Sequence, residues 1–109
     1  MERLYFTLTG TNYYYGTDFM EPGMAVKLVK EPENEFDKEA IKVEIQGLGT
    51  VGFVANSPHT VKGESMSAGR LYDRIGDTAV AKILYVLPQG VLCEIAKSEK
   101  EDANESSID

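Results

Sequence analysis

Between Ala40 and Gln46 the chain alternates without a break, with Ile41, Val43 and Ile45 on one face and Lys42, Glu44 and Gln46 on the other. A period of two fits a strand that buries one face and cannot serve a helix. Gly47-Leu48-Gly49 follows at once, and Thr50 to Ala55 is again rich in β-formers, so the two runs read as a hairpin around a glycine turn. The pattern recurs along the chain. Leu4 to Thr9 sets Leu4, Phe6 and Leu8 on one face, and Met24 to Lys30 turns Val26 and Leu28 inward and Lys27 outward. Ala79 to Leu87 and Val91 to Ala96 form another pair, joined by Pro88-Gln89-Gly90.

Helical signals are confined to the stretch between the fourth and fifth runs. Asn56-Ser57-Pro58 reads as an N-cap with proline at the first helical position, and Gly63 stops that short helix. A second, longer helix begins at Ser65 or Ser67, where Ala68, Leu71, Tyr72 and Ile75 make one apolar stripe and Gly76 is the C′ residue. The expected fold is therefore mainly β: a small six-stranded OB-like or SH3-like barrel, with a short and a longer helix inserted between strands four and five. Closure would remove the free edges that short strands otherwise leave.

A length of 109 residues fits one domain, which we place at residues 1–96. From Lys97 the composition turns polar and charged, and residues 97–109 read as an acidic disordered tail. The tail holds five acids and two lysines, a net of −3, so the whole-chain charge of −7 leaves −7 − (−3) = −4 on the body. An acidic body disfavours bulk attraction to phosphate, so any nucleic-acid site must be local and shaped. No apolar run reaches the roughly 18 residues of a membrane span. The N-terminus lacks the basic start and apolar stretch of a signal peptide, so the expected location is cytoplasmic.

Catalytic signatures are absent: there is no phosphate-binding P-loop, no G-x-S-x-G elbow and no H-E-x-x-H. Cys93 and His59 are the only residues of their kinds, too few for a structural zinc site. Cys93 falls on an inward strand face, and His59 reads as a surface residue. The acidic run Glu31 to Glu39 lacks the glycine and ligand spacing of a calcium loop and reads as a solvated loop. We expect no enzyme activity, no metal and no cofactor.

Tyr13-Tyr14-Tyr15, flanked by Gly10 and Gly16, is more informative. Three adjacent aromatics cannot all enter a core, and exposed rings on a β-barrel stack bases without needing net positive charge. Phe36, in the next polar loop, also has no evident core partner.

These segments carry a resemblance. Gly10-Thr11-Asn12-Tyr13-Tyr14-Tyr15-Gly16, then Leu28 to Val43 with its E-P-x-N-x-(aromatic)-D-x-x-A-I-x-V order, then Val51-Gly52-Phe53-Val54, resemble the HIRAN domain over nearly residues 3–96. The resemblance implies an OB-like six-stranded barrel that grips the 3′-hydroxyl end of single-stranded DNA. Such domains are found in helicase-like proteins that remodel stalled replication forks, a DNA-repair setting, and as small stand-alone bacterial proteins. By position, Tyr13 matches the aromatic that stacks on terminal bases, with Tyr14 beside it, and Phe36 matches a second stacking ring. Asp37 matches the carboxylate that accepts a hydrogen bond from the 3′-OH, and Asn34 an asparagine that shapes the pocket.

Three positions depart from the DNA-gripping members: Asn12 replaces a basic residue, Phe53 a histidine, and Asn56 a lysine. Lys30, Lys38 and Lys42 remain near the site. Two functions follow: a module that binds DNA 3′ ends through Tyr13, Phe36 and Asp37, or a protein-interaction module that keeps the barrel and has lost DNA affinity.

Overall fold

Alternation at period two puts every second side chain inside, and six such runs of β-formers can bury those faces together only by curving round a shared core. The computed structural model describes residues 3–57, 59–61 and 63–98. Its strands are β1 (Tyr5–Thr9), β2 (Ala25–Lys30), β3 (Ile41–Ile45), β4 (Gly49–Val54), β5 (Thr78–Leu87) and β6 (Gly90–Ser98). All neighbours are antiparallel, and the barrel closes in the order β1-β4-β3-β2-β5-β6. The predicted barrel and its strand order along the chain are thus present. Between Val43 and Glu44 the register shifts by one residue, with Val51 of β4 left as the extra one, a bulge that bends β4 against β3.

Phe6, Leu8, Val26, Leu28, Ile41, Val43, Val51, Ile83, Val91 and Cys93 fill the interior, joined by Ala68, Leu71 and Ile75 from the inserted segment. Each large aliphatic side chain contributes about 1.5–3 kcal/mol by leaving water. Thr7 faces away from this core yet is also buried, because residues 63–66 cover it: its Oγ1 lies 2.9 Å from Ser65 Oγ. Burial pushes the Cys93 thiol from 9.0 up to about 12. A thiol that stays protonated and covered is unreactive. We therefore expect a disulfide reagent at pH 8 to label Cys93 only as fast as the barrel unfolds. Rapid labelling of the native chain would contradict a closed barrel.

The helical insertion differs from expectation. Among the described residues of the 56–63 segment there are bends and turns and no helix. Ser57 organises them, its carbonyl accepting from Thr60 N (2.9 Å) and Val61 N (3.0 Å) and its hydroxyl from His59 N (3.2 Å), while Pro58 lies outside the described residues. The second helix starts where predicted, with Ser67 as N-cap accepting from Arg70 N, but α1 spans only Ala68–Tyr72. It stops because its would-be continuation is bonded to the barrel. Lys30 Nζ donates to the Ile75 carbonyl (2.8 Å), Lys30 N to the Asp77 carbonyl (3.0 Å), and Gly76 N to Ser98 Oγ (3.1 Å). β6 also runs past the expected boundary at Ala96 to Ser98; the acidic run from residue 99 lies outside the described residues. No described helix is long and apolar enough to cross a membrane.

Candidate nucleic-acid interface

The chain leaves β1 through Gly10, whose φ of 76° lies in the left-handed region that glycine adopts without a Cβ clash. It then makes a 3₁₀ turn over Thr11–Tyr13, closed by Tyr13 N donating to the Gly10 carbonyl (3.1 Å) and Tyr14 N to the Thr11 carbonyl (3.0 Å). The turn packs on β4. It can come so close because β4 carries Gly52 there: a Cβ at Gly52 would lie 2.5 Å from the Thr9 carbonyl oxygen and 3.4 Å from Thr11 Cγ2. The three tyrosines then diverge. Tyr13 is 88% exposed. Tyr14 tilts against Phe53, ring centroids 6.3 Å apart. Tyr15 Oη donates to the Leu48 carbonyl at 3.3 Å.

The second loop, between β2 and β3, is built by Asn34. Its Oδ1 accepts from Phe36 N (2.9 Å) and Asp37 N (3.0 Å), and its Nδ2 donates to Glu31 Oε1 (3.2 Å). An asparagine side chain that takes over backbone donors fixes a turn without secondary structure. The turn holds the Phe36 ring out, 94% exposed. Asp37 follows with both carboxylate oxygens engaged: Oδ1 accepts from Glu39 N and Oδ2 from Asn56 Nδ2, each at 2.9 Å. Asn56 lies just beyond β4, and its Oδ1 accepts from Gly69 N (2.9 Å) at the start of α1.

Strand β4 is the axis of this region. Phe53 pairs with Thr9 of β1 on one side and Lys42 of β3 on the other. Asn12, Tyr13 and Tyr14 belong to the turn packed on β4; Asn34, Phe36 and Asp37 sit in the loop that Asn56 ties to the end of the same strand. Lys30 does not join them, because its ammonium is bonded to Ile75 and lies 4.4 Å from the Tyr72 ring centroid. Lys42 Nζ lies 3.2 Å from Glu44, so its charge is already partly matched. Among the described residues no cluster of His, Cys, Asp or Glu could hold a metal ion.

Two contributors escaped the sequence reading. A cleft of about 250 Å³ separates the 9–13 segment from the β5–β6 hairpin, lined by Asn12, Tyr13, Thr17 and Gln89 among other residues, none of them charged. Gln89 could be placed there only by knowing that β1 pairs with β6. Asn56 was read as a lost clamp, whereas here it bridges Asp37 and α1.

Comparison with known proteins agrees with this architecture. A family model described as the HIRAN domain matches residues 1–59. Among solved structures, the chain is similar to the HIRAN domain of human HLTF, with TM-score 0.57 and 19% identity over 96% of this chain and 84% of that one. It is also similar to a protein from Lactobacillus plantarum, with TM-score 0.52 and 19% identity over 86% of this chain and 96% of that one. No curated protein sequence matches the chain.

Proposed function

This chain belongs to the HIRAN domain family, a family of nucleic-acid-binding modules, and from that premise we propose that it grips the free 3′-hydroxyl end of single-stranded DNA. One observation carries the reading. Two fully presented rings, Tyr13 and Phe36, stand on short hydrogen-bonded turns around β4, with the Asp37 carboxylate anchored next to the second ring. Aromatic faces that large are costly to leave in water and stack on any base. A carboxylate accepts a hydroxyl proton and repels a phosphate, so it distinguishes a strand's end from its interior. The binding role needs no catalytic group, and the domain is read as a non-enzymatic module.

The test is fluorescence anisotropy of a labelled short single strand at low and moderate salt. Tyr13→Ala should weaken binding by about 1–3 kcal/mol, the worth of one stacked base. The salt dependence should be shallow, because few cations face the site. Unchanged affinity in Tyr13→Ala would remove the ring from the interface.

A second reading, docking of a protein partner, is favoured by a different surface. Leu87, Leu92 and Tyr5 line an apolar groove beside residues 63–65, and the nearby Tyr85 is 61% exposed. Absence of any strand binding at low salt would favour this reading.

A further inference from the structure

Asn56 occupies the position at which DNA-gripping relatives were noted above to carry a lysine, yet its contacts here are internal. Its amide has one acceptor oxygen and a donor NH₂. The backbone N–H of Gly69 can only donate, so Oδ1 must be the atom that faces it, and Nδ2 must then face Asp37 Oδ2. Both contacts are 2.9 Å. A lysine could make the second contact and not the first. An aspartate could make the first, but it would set a like charge against Asp37.

The surroundings reinforce the bridge. The first turn of α1 lies close against the loop, since a Cβ at Gly69 would come within 2.6 Å of Glu39 Oε1. Glu39 N in turn holds the other Asp37 oxygen. The carboxylate is thus fixed from two sides by neutral donors, and an ionised carboxylate retains lone-pair sites for a further hydrogen bond.

We propose that Asn56 is a positioning residue that gives the pocket its selectivity for a hydroxyl end, by tying Asp37 to α1 so that its free lone pairs point outward. The inference rests on the end-binding reading and adds a determinant that does not touch the strand.

The experiment compares the full chain with Asn56→Asp and Asn56→Ala, using one DNA sequence ending either in a 3′-hydroxyl or in a 3′-hydrogen. Asn56→Asp keeps the acceptor toward Gly69 and replaces the donor toward Asp37 by a like charge. Asn56→Ala adds no charge, and thermal melting reports whether it stays folded. The unaltered chain should prefer the hydroxyl end by about tenfold, the range of one charge-assisted hydrogen bond. In both variants that ratio should fall to within about twofold, whereas a merely structural role would weaken both strands alike. An undiminished ratio in the folded variants would overturn the role of Asn56. A ratio of one in the unaltered chain would overturn end recognition itself, and this inference with it.

Discussion

A single strand carrying a 3′-phosphate is expected to bind at least about a hundredfold more weakly than the same strand with a free 3′-hydroxyl. Setting like charges face to face costs several kcal/mol. Asp37 cannot swing aside to relieve the repulsion, because Glu39 N and Asn56 Nδ2 each hold one of its oxygens at 2.9 Å. Two of the three nearby lysines are already engaged, Lys30 with Ile75 and Lys42 at 3.2 Å from Glu44, which leaves only the exposed Lys38 to offset the added charge. The effect should therefore persist at moderate salt, where long-range repulsion is screened but contact repulsion is not. Competition anisotropy with the two strands decides it. Equal competition by the 3′-phosphate strand would remove Asp37 from the interface and leave only stacking.

Gly52→Ala should destabilise the barrel by about 3 kcal/mol, at the upper end of what overpacking costs. The added methyl would meet the Thr9 carbonyl oxygen at 2.5 Å and Leu8 Cδ1 at 2.7 Å. Thr9 is paired with Phe53, so its carbonyl can move only by prising β1 from β4. Gly69→Ala makes the informative contrast. Its methyl would also meet an atom at 2.6 Å, but that atom is the carboxylate oxygen of Glu39, the far end of a flexible side chain. It should cost less than about 1 kcal/mol, offset in part by alanine's better helix propensity. Urea titrations of the two variants test this, with the midpoint shifted strongly for the first and little for the second. Equal shifts would mean that the 3₁₀ turn does not need the close approach at Gly52. Because that turn carries Tyr13, the folded fraction of Gly52→Ala should also bind strands less well.

The barrel was legible because alternation encodes which face is buried, and in a closed sheet each strand keeps one face. Ile41, Val43, Phe6, Leu8, Val91 and Cys93 all lie where period two sends them. The exposed rings were legible for a related reason, since a run of three tyrosines cannot be buried whole. Which of them would stand free was not legible, because that depends on Phe53 and Leu48, far away in the chain. The helical insertion was overread. Ser67 and the apolar stripe are local signals, whereas the bonds from Lys30 and Ser98 that end α1 are not. The bridge made by Asn56 was not legible for the same reason, as its partners Asp37 and Gly69 are distant in sequence.

The barrel is shut by its outermost strands in sequence, with Phe6 opposite Cys93. That arrangement makes the molecule a slow finisher. The β3–β4 and β5–β6 hairpins can form from near neighbours, but β1 meets β4 only at Leu8–Val54 and Thr9–Phe53 and gains the rest of its pairing from β6. Loop closure over most of the chain must precede those contacts, the situation that puts folding in the range of milliseconds to seconds. On the ribosome, every residue of the candidate pocket emerges before the strand that completes the barrel, and Phe6 and Leu8 wait uncovered in the meantime. The hazard for this protein therefore lies in its synthesis and refolding, when β1 offers an open edge to other chains, and it ends once β6 arrives.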